Sequence, residues 1–97
     1  MKKIVHQLEL NLPVSFIQED GKVVAYTPAL DISTVGKDEA EAKQRFGEIV
    51  AIFFNDLIEN NTVDAVLSDL GWHKGQIAWN PPMISQQSVN VRVPIAA

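Results

Sequence analysis

Hydrophobic residues alternate with other residues over the range 4–16 near the start of the chain. A period of two residues is typical of a half-buried strand, so the pattern predicts a first β-strand there. Asp20-Gly21 follows, and this pair tolerates the positive φ angles that a tight hairpin turn requires. Valine and tyrosine in the range 23–26 favour a second strand. The two strands are therefore predicted to pair antiparallel.

The pattern changes to helical periodicity from about Asp38 to Glu59. The carboxylate of Asp38 can cap the helix, and Glu41 can reach back to the cap in a variant of the capping box. One apolar stripe of this helix is predicted to face the core: Ala42, Phe46, Ile49, Val50, Phe53 and Leu57.

A second apolar row lies beside that stripe when residues are placed about 100° apart around the helix axis. It consists of Ala40, Gly47, Ala51, Phe54 and Ile58. Small residues with one aromatic ring allow another element to approach closely. The row is therefore a candidate contact between copies of the chain, although the C-terminal segment could equally fold over it.

The remaining segments complete the predicted layout. The range 62–70 has the apolar spacing of a short helix, and Gly71 is suited to end it. The range 79–82 is predicted to be a rigid extended linker, and alternating valines in the range 89–95 predict a last strand. The predicted fold is α+β in the order β-β-β-α-α-β, with an antiparallel sheet of three to four strands covered by one long helix, in a single domain spanning 1–97.

Composition limits the functional classes. The chain has 97 residues, 46% hydrophobic and 21% charged, with a formal net charge of -4. Such a charge, with scattered basic residues, argues against a general affinity for nucleic acid and suits a basic protein partner. No apolar run approaches membrane-spanning length. Polar residues also interrupt the first part of the chain where a signal peptide would be apolar. A cytoplasmic location without membrane contact is therefore predicted.

Residues that could carry chemistry are few. His6 and His73 are isolated from acidic partners at ligand spacing, and the sequence contains no cysteine. No metal or other cofactor is therefore predicted. Asp31 could meet a basic partner or cap its own turn, and the turn role is favoured. A nuclease would need clustered carboxylates to bind magnesium, and no such cluster is evident, so a non-enzymatic protein is predicted.

The most specific motif is the strand that begins at Val23 and ends in Tyr26-x-Pro28-x-Leu30-Asp31. A short second run of β-branched residues follows, then a glycine and the acidic-capped amphipathic helix. This segment resembles the HicB-like antitoxin domain. The resemblance covers the chain from about Val23 to the end of the long helix.

The resemblance implies a fold similar to a truncated ribonuclease H sheet that lacks catalytic carboxylates. It also implies a protein that binds and masks HicA, a small basic ribonuclease toxin. The implied toxin-binding residues are Tyr26, Pro28, Leu30 and Asp31. Members of this family commonly form dimers or larger assemblies, so a homo-oligomer is expected.

One departure from the family concerns DNA. Many HicB antitoxins append a helix-turn-helix or ribbon-helix-helix, whereas only the short helix at 62–70 follows the long helix here. No direct DNA binding is therefore expected. The alternative to an antitoxin is an orphan HicB-like oligomeric module that binds proteins but has no toxin partner.

Overall fold

The computed structural model describes residues 10–76 and 78–96. Their order of elements confirms the predicted α+β class and the predicted sequence of three strands followed by two helices. The elements are β1 (Ser15–Glu19), β2 (Lys22–Thr27), β3 (Ile32–Gly36), α1 (Glu39–Glu59), α2 (Val63–Asp69), β4 (His73–Lys74) and β5 (Trp79–Asn80).

A tight hairpin joins β1 to β2, as predicted. The strands are antiparallel, with Glu19 opposite Lys22 and Ser15 opposite Tyr26. The two turn residues lie between those ends, Asp20 with φ 50° and Gly21 with φ 75°. Both angles fall in the left-handed region, which Asp-Gly pairs tolerate and most other residues do not.

The predicted start of the first strand is wrong within the described residues. Regular structure begins at Ser15, the range 10–14 has none, and the earlier part of the prediction lies outside the described residues. The pairing with β2 stops at Ser15, opposite Tyr26, and Pro13 has no backbone N–H to donate to a longer ladder. The alternation nevertheless persists, because three side chains are half-buried: Leu10, Leu12 and Val14.

The sheet has the order β1-β2-β3, and α1 packs on β2 and β3. Val23 and Ala25 of β2 are buried against Ala42 and Phe46 of α1. Gly36 is also buried where β3 meets the first turn of the helix. A Cβ atom at Gly36 would lie 2.8 Å from the Cα of Ala42, so only glycine allows this approach.

The start of α1 follows the predicted cap with one difference. Asp38 Oδ1 accepts a 2.8 Å hydrogen bond from the backbone N–H of Glu41. Glu41 Oε1 in turn accepts from the backbone N–H of Lys37 at 3.0 Å, one residue before the expected position. Arg45 Nη1 donates to the carbonyl of Val35 at 3.0 Å, which ties the helix to β3.

The core stripe of α1 is confirmed at Ala42, Phe46 and Leu57, which are buried. Val50 and Phe53 are half-buried and pack at its margin. Ile49 is 38% exposed, so its assignment to the core is wrong. Residues spaced about 100° apart around the helix axis place Ile49 at the edge of the stripe.

A second part of the core lies at the other end of α1. Gly71 has φ 88° and ends the short helix as predicted, and it turns the chain so that Trp72 is buried. Trp72 packs with four other buried residues: Ala29, Leu30, Leu57 and Leu67. Its ring also meets Phe54 edge to face, with the ring centroids 6.5 Å apart.

Two predictions for the C-terminal third are wrong. Trp79-Asn80 is β5, paired antiparallel with β4, and is therefore not a free linker. The range 89–95 forms no strand, and its side chains are exposed. A strand needs a ladder partner, and this segment pairs with none of the described strands.

Within the ranges 10–76 and 78–96, no helix has the length and apolar character needed to cross a membrane.

Candidate protein-binding site

The turn between β2 and β3 brings two of the four candidate toxin-binding residues into contact. The Tyr26 hydroxyl donates a 3.2 Å hydrogen bond to Oδ1 of Asp31. Tyr26 is half-buried, whereas Pro28 and Asp31 are exposed on the same turn. We call Tyr26, Pro28 and Asp31 the corner; it presents an aromatic ring, an apolar ring and a carboxylate.

The backbone of Asp31 has φ 54°, in the left-handed region that aspartate tolerates better than most residues. This angle agrees with the turn role predicted for Asp31. Its side chain does not turn inward, and the carboxylate remains exposed beside the tyrosine hydroxyl. Asp31 therefore shapes the turn and also presents a charge at the surface.

Buried hydrogen bonds fix the backbone of the turn that carries the corner. Thr27 is fully buried, and its Oγ1 accepts a 3.3 Å hydrogen bond from the backbone N–H of Ala29. The carbonyl of Ala29 accepts a 2.8 Å hydrogen bond from Nε1 of Trp72, 43 residues away in sequence. Leu30 is only 3% exposed and belongs to the core, so it supports the corner from within and offers no surface to a partner.

The environment of the corner raises the pKa of the Tyr26 hydroxyl above its ordinary value. Desolvation of the ring is the largest cause, followed by the hydrogen bond to Asp31 and the negative charge of that carboxylate. Each cause disfavours the tyrosinate ion. The corner therefore keeps a neutral hydroxyl that donates to Asp31.

The second apolar row of α1 lines a groove on a different part of the surface. Gly47, Ala51, Phe54 and Ile58 form one wall, and Ala40 does not line the groove. The opposite wall comes from the segment before β1: Leu10, Leu12 and Val14. We call this the flank groove; its volume is about 500 Å³.

The predicted alternative, in which the C-terminal segment folds over this row, does not describe the structure. The range 83–96 is exposed, and none of its residues lines the flank groove. Periodicity alone identified the helical wall. It did not identify the opposite wall, because the predicted first strand assigned those side chains to the core of a sheet.

The C-terminal segment leaves the body of the protein beside the corner. Gln86 Nε2 donates a 2.7 Å hydrogen bond to the hydroxyl of Ser15 at the start of β1. Ile84 and Gln86 also border a pocket of about 280 Å³ that Pro13 and Pro28 line. The corner and the root of the C-terminal segment are therefore neighbours.

In the ranges 10–76 and 78–96, no group of three or more histidine, cysteine or acidic residues is arranged so that it could hold a metal ion. His73 is exposed in β4. The neighbouring Lys74 forms a 3.2 Å ion pair with Asp64. His6 lies outside the described residues.

Comparison with protein-family models, curated proteins and solved structures finds no match to this chain. The resemblance to HicB-like domains therefore rests on the motif that ends at Asp31 and on the helix that follows it. The geometry defines a candidate protein-binding site of small size with a single carboxylate.

Proposed function

We propose that this chain is a non-enzymatic, HicB-like antitoxin that binds and masks a small basic ribonuclease of the HicA type. The observation that carries this proposal is the corner, where an exposed carboxylate and an aromatic hydroxyl lie 3.2 Å apart on a turn fixed by buried hydrogen bonds. A rigid surface loses little conformational entropy on binding, so such a corner is suited to recognise a partner.

Charge supports the same proposal. The chain has a formal net charge of -4, which favours encounter with a basic protein. A lysine or arginine of the partner would form a charge-assisted hydrogen bond with Asp31. Pro28 would supply an apolar contact beside it. In this proposal, a HicB-like sheet with its covering helix acts as the scaffold for the corner.

The first experiment captures the tagged full chain from its native lysate at low and moderate salt and identifies any stoichiometric companion by mass spectrometry. The proposal expects a small basic protein that cleaves RNA and loses this activity when the chain is added in equal amount. If such a companion is absent, or if its cleavage of RNA continues at saturating amounts of the chain, the proposal is wrong.

A matched pair of variants then tests the corner. Asp31→Asn keeps an oxygen for the Tyr26 hydroxyl and a residue that tolerates the left-handed backbone. Asp56→Asn makes the same change of net charge on the exposed face of α1. Loss of one charge-assisted contact should weaken inhibition by about 10-fold or more for Asp31→Asn, and much less for Asp56→Asn. Equal weakening would show that the corner is not the contact.

The second candidate function is an orphan HicB-like oligomeric module that binds proteins without a toxin. The flank groove favours it, because none of the described segments lies over this apolar groove and such a surface is suited to a protein contact. Recovery of the chain only with copies of itself, under conditions in which a neighbouring toxin gene is expressed, would support this function over the first.

A further inference from the structure

The C-terminal segment has the pattern of a strand with one apolar face, yet it is exposed. Val89, Val91, Val93 and Ile95 are 75%, 70%, 70% and 88% exposed. Polar residues occupy the positions between the first three valines, as in a half-buried strand. We call the range 88–95 the tail. Its apolar face packs against nothing in the described part of this chain, and an extended segment with this pattern can add as a strand to the sheet edge of another chain.

The fold also leaves room for one more strand. Among the described strands the sheet ends at β1, and α1 packs mainly on β2 and β3. The range 10–14 precedes β1 in the chain and has no ladder partner among the described strands. Its half-buried side chains line the flank groove, and the small residues Gly47 and Ala51 in the opposite, helical wall leave space for another element. The groove therefore offers both an unpaired backbone segment and an apolar surface.

We infer that two copies of this chain exchange their tails, and that the tail of each copy lies in the flank groove of the other. The tail would pair with the range 10–14 and place its valines on Gly47, Ala51 and Phe54. Each chain supplies one tail and one groove, so a two-fold exchange leaves neither uncovered. This inference does not depend on a toxin.

The path of the chain indicates that the tail in each flank groove comes from a second copy. Gln86 is held at Ser15 by the 2.7 Å hydrogen bond between their side chains. Ile84 lies beside Pro13 and Pro28, and none of the described residues after it, 85–96, lines the groove of its own chain. The tail therefore starts at the margin of its own sheet, and its residues are exposed throughout the range 88–95.

The area that the exchange would bury matches a stable dimer. One aliphatic side chain removes about 60 to 120 Å² of apolar surface from water on burial. Four such side chains on each of two tails, with equal areas on the grooves, would bury roughly 1,000 to 1,900 Å². Specific protein interfaces bury about 1,200 to 2,000 Å². A reciprocal exchange is thus large enough to hold two copies together.

Analytical ultracentrifugation of the full chain over a concentration series tests the inference. The wild-type chain is expected to be a dimer. Val91→Asp should weaken dimerisation by about 100-fold or more, because each dimer would place two charges in apolar grooves. Asn90→Asp adds the same charge to the other face of the tail and should leave the dimer largely intact. A wild-type monomer throughout the series, or equal effects of the two variants, would overturn the inference.

Complementation distinguishes an exchange from any other dimer. Ala51→Glu places a charge in the groove and leaves the tail intact, whereas Val91→Asp leaves the groove intact. Each variant alone should be monomeric, and an equimolar mixture should form a heterodimer through one intact tail and one intact groove. If the mixture remains monomeric, the exchange is wrong. Unchanged circular dichroism of both variants would confirm that the monomer fold is retained.

Discussion

Replacement of Trp72 by phenylalanine tests how the core supports the corner. Trp72 is buried, and its Nε1 donates a 2.8 Å hydrogen bond to the carbonyl of Ala29, which is itself fully buried. Phenylalanine retains an aromatic ring but has no N–H. Trp72→Phe therefore leaves a buried carbonyl without this donor and leaves a small void in the cluster with Leu57 and Leu67.

The expected loss of stability has two parts. An unsatisfied buried polar group costs about 1 to 3 kcal/mol. The smaller ring adds about 1 kcal/mol for lost contacts and residual cavity. The free energy of unfolding should therefore fall by roughly 2 to 4 kcal/mol, which for a chain of this size lowers Tm by about 8 to 30 °C. Small domains are stable by only about 5 to 15 kcal/mol, so the effect is large.

Urea and thermal unfolding followed by circular dichroism measure this loss. Protein concentration must be held constant, because any dimer would make the apparent stability depend on concentration. The matched control is Trp79→Phe, because Trp79 is half-buried at the margin of the same cluster. The control should lose about 1 kcal/mol or less. Equal losses for the two variants would refute the role given to the Trp72 hydrogen bond.

Three further predictions concern particular positions in the fold. Gly36→Ala should lower the free energy of unfolding by about 1 to 3 kcal/mol or more, because its Cβ would meet the backbone of α1. Gly47→Ala should instead raise it by about 1 kcal/mol, since space is open there and alanine favours helix, and a loss at this position in urea unfolding would contradict the reasoning. Asp31→Asn should lower the pKa of Tyr26 toward its ordinary value while desolvation keeps part of the increase, as ultraviolet absorbance of this sole tyrosine would measure. An unchanged titration would exclude the influence of Asp31.

The sign of that pH dependence follows from the direction of the shift. A raised pKa means that the folded state favours the neutral hydroxyl of Tyr26 more than the unfolded state does. This contribution to stability is fully present below the unfolded pKa and is lost as pH rises through the folded pKa. The wild-type chain should therefore lose more stability than Asp31→Asn at alkaline pH, which urea unfolding at a series of pH values would show.

Part of the candidate site could be predicted because its signals are local. The motif from Tyr26 to Asp31 identified a turn, and helical periodicity identified the row that lines the flank groove. That Leu30 is buried while Pro28 is exposed could not be predicted, because the answer depends on Trp72, which is distant in sequence. The second wall of the flank groove, formed by the segment before β1, could not be predicted either, because it depends on where the first strand begins to pair with β2.

By itself, the sequence determined the hairpin turn at Asp20-Gly21 and the length of α1. Each depends on backbone preferences and hydrogen bonds between neighbouring residues. Only the tertiary structure decided that the first strand begins at Ser15 and that the range 89–95 pairs with none of the described strands. The physical reason is that alternation can indicate which face of a strand is apolar, whereas the existence of the strand requires a partner, and partners are chosen by the fold as a whole.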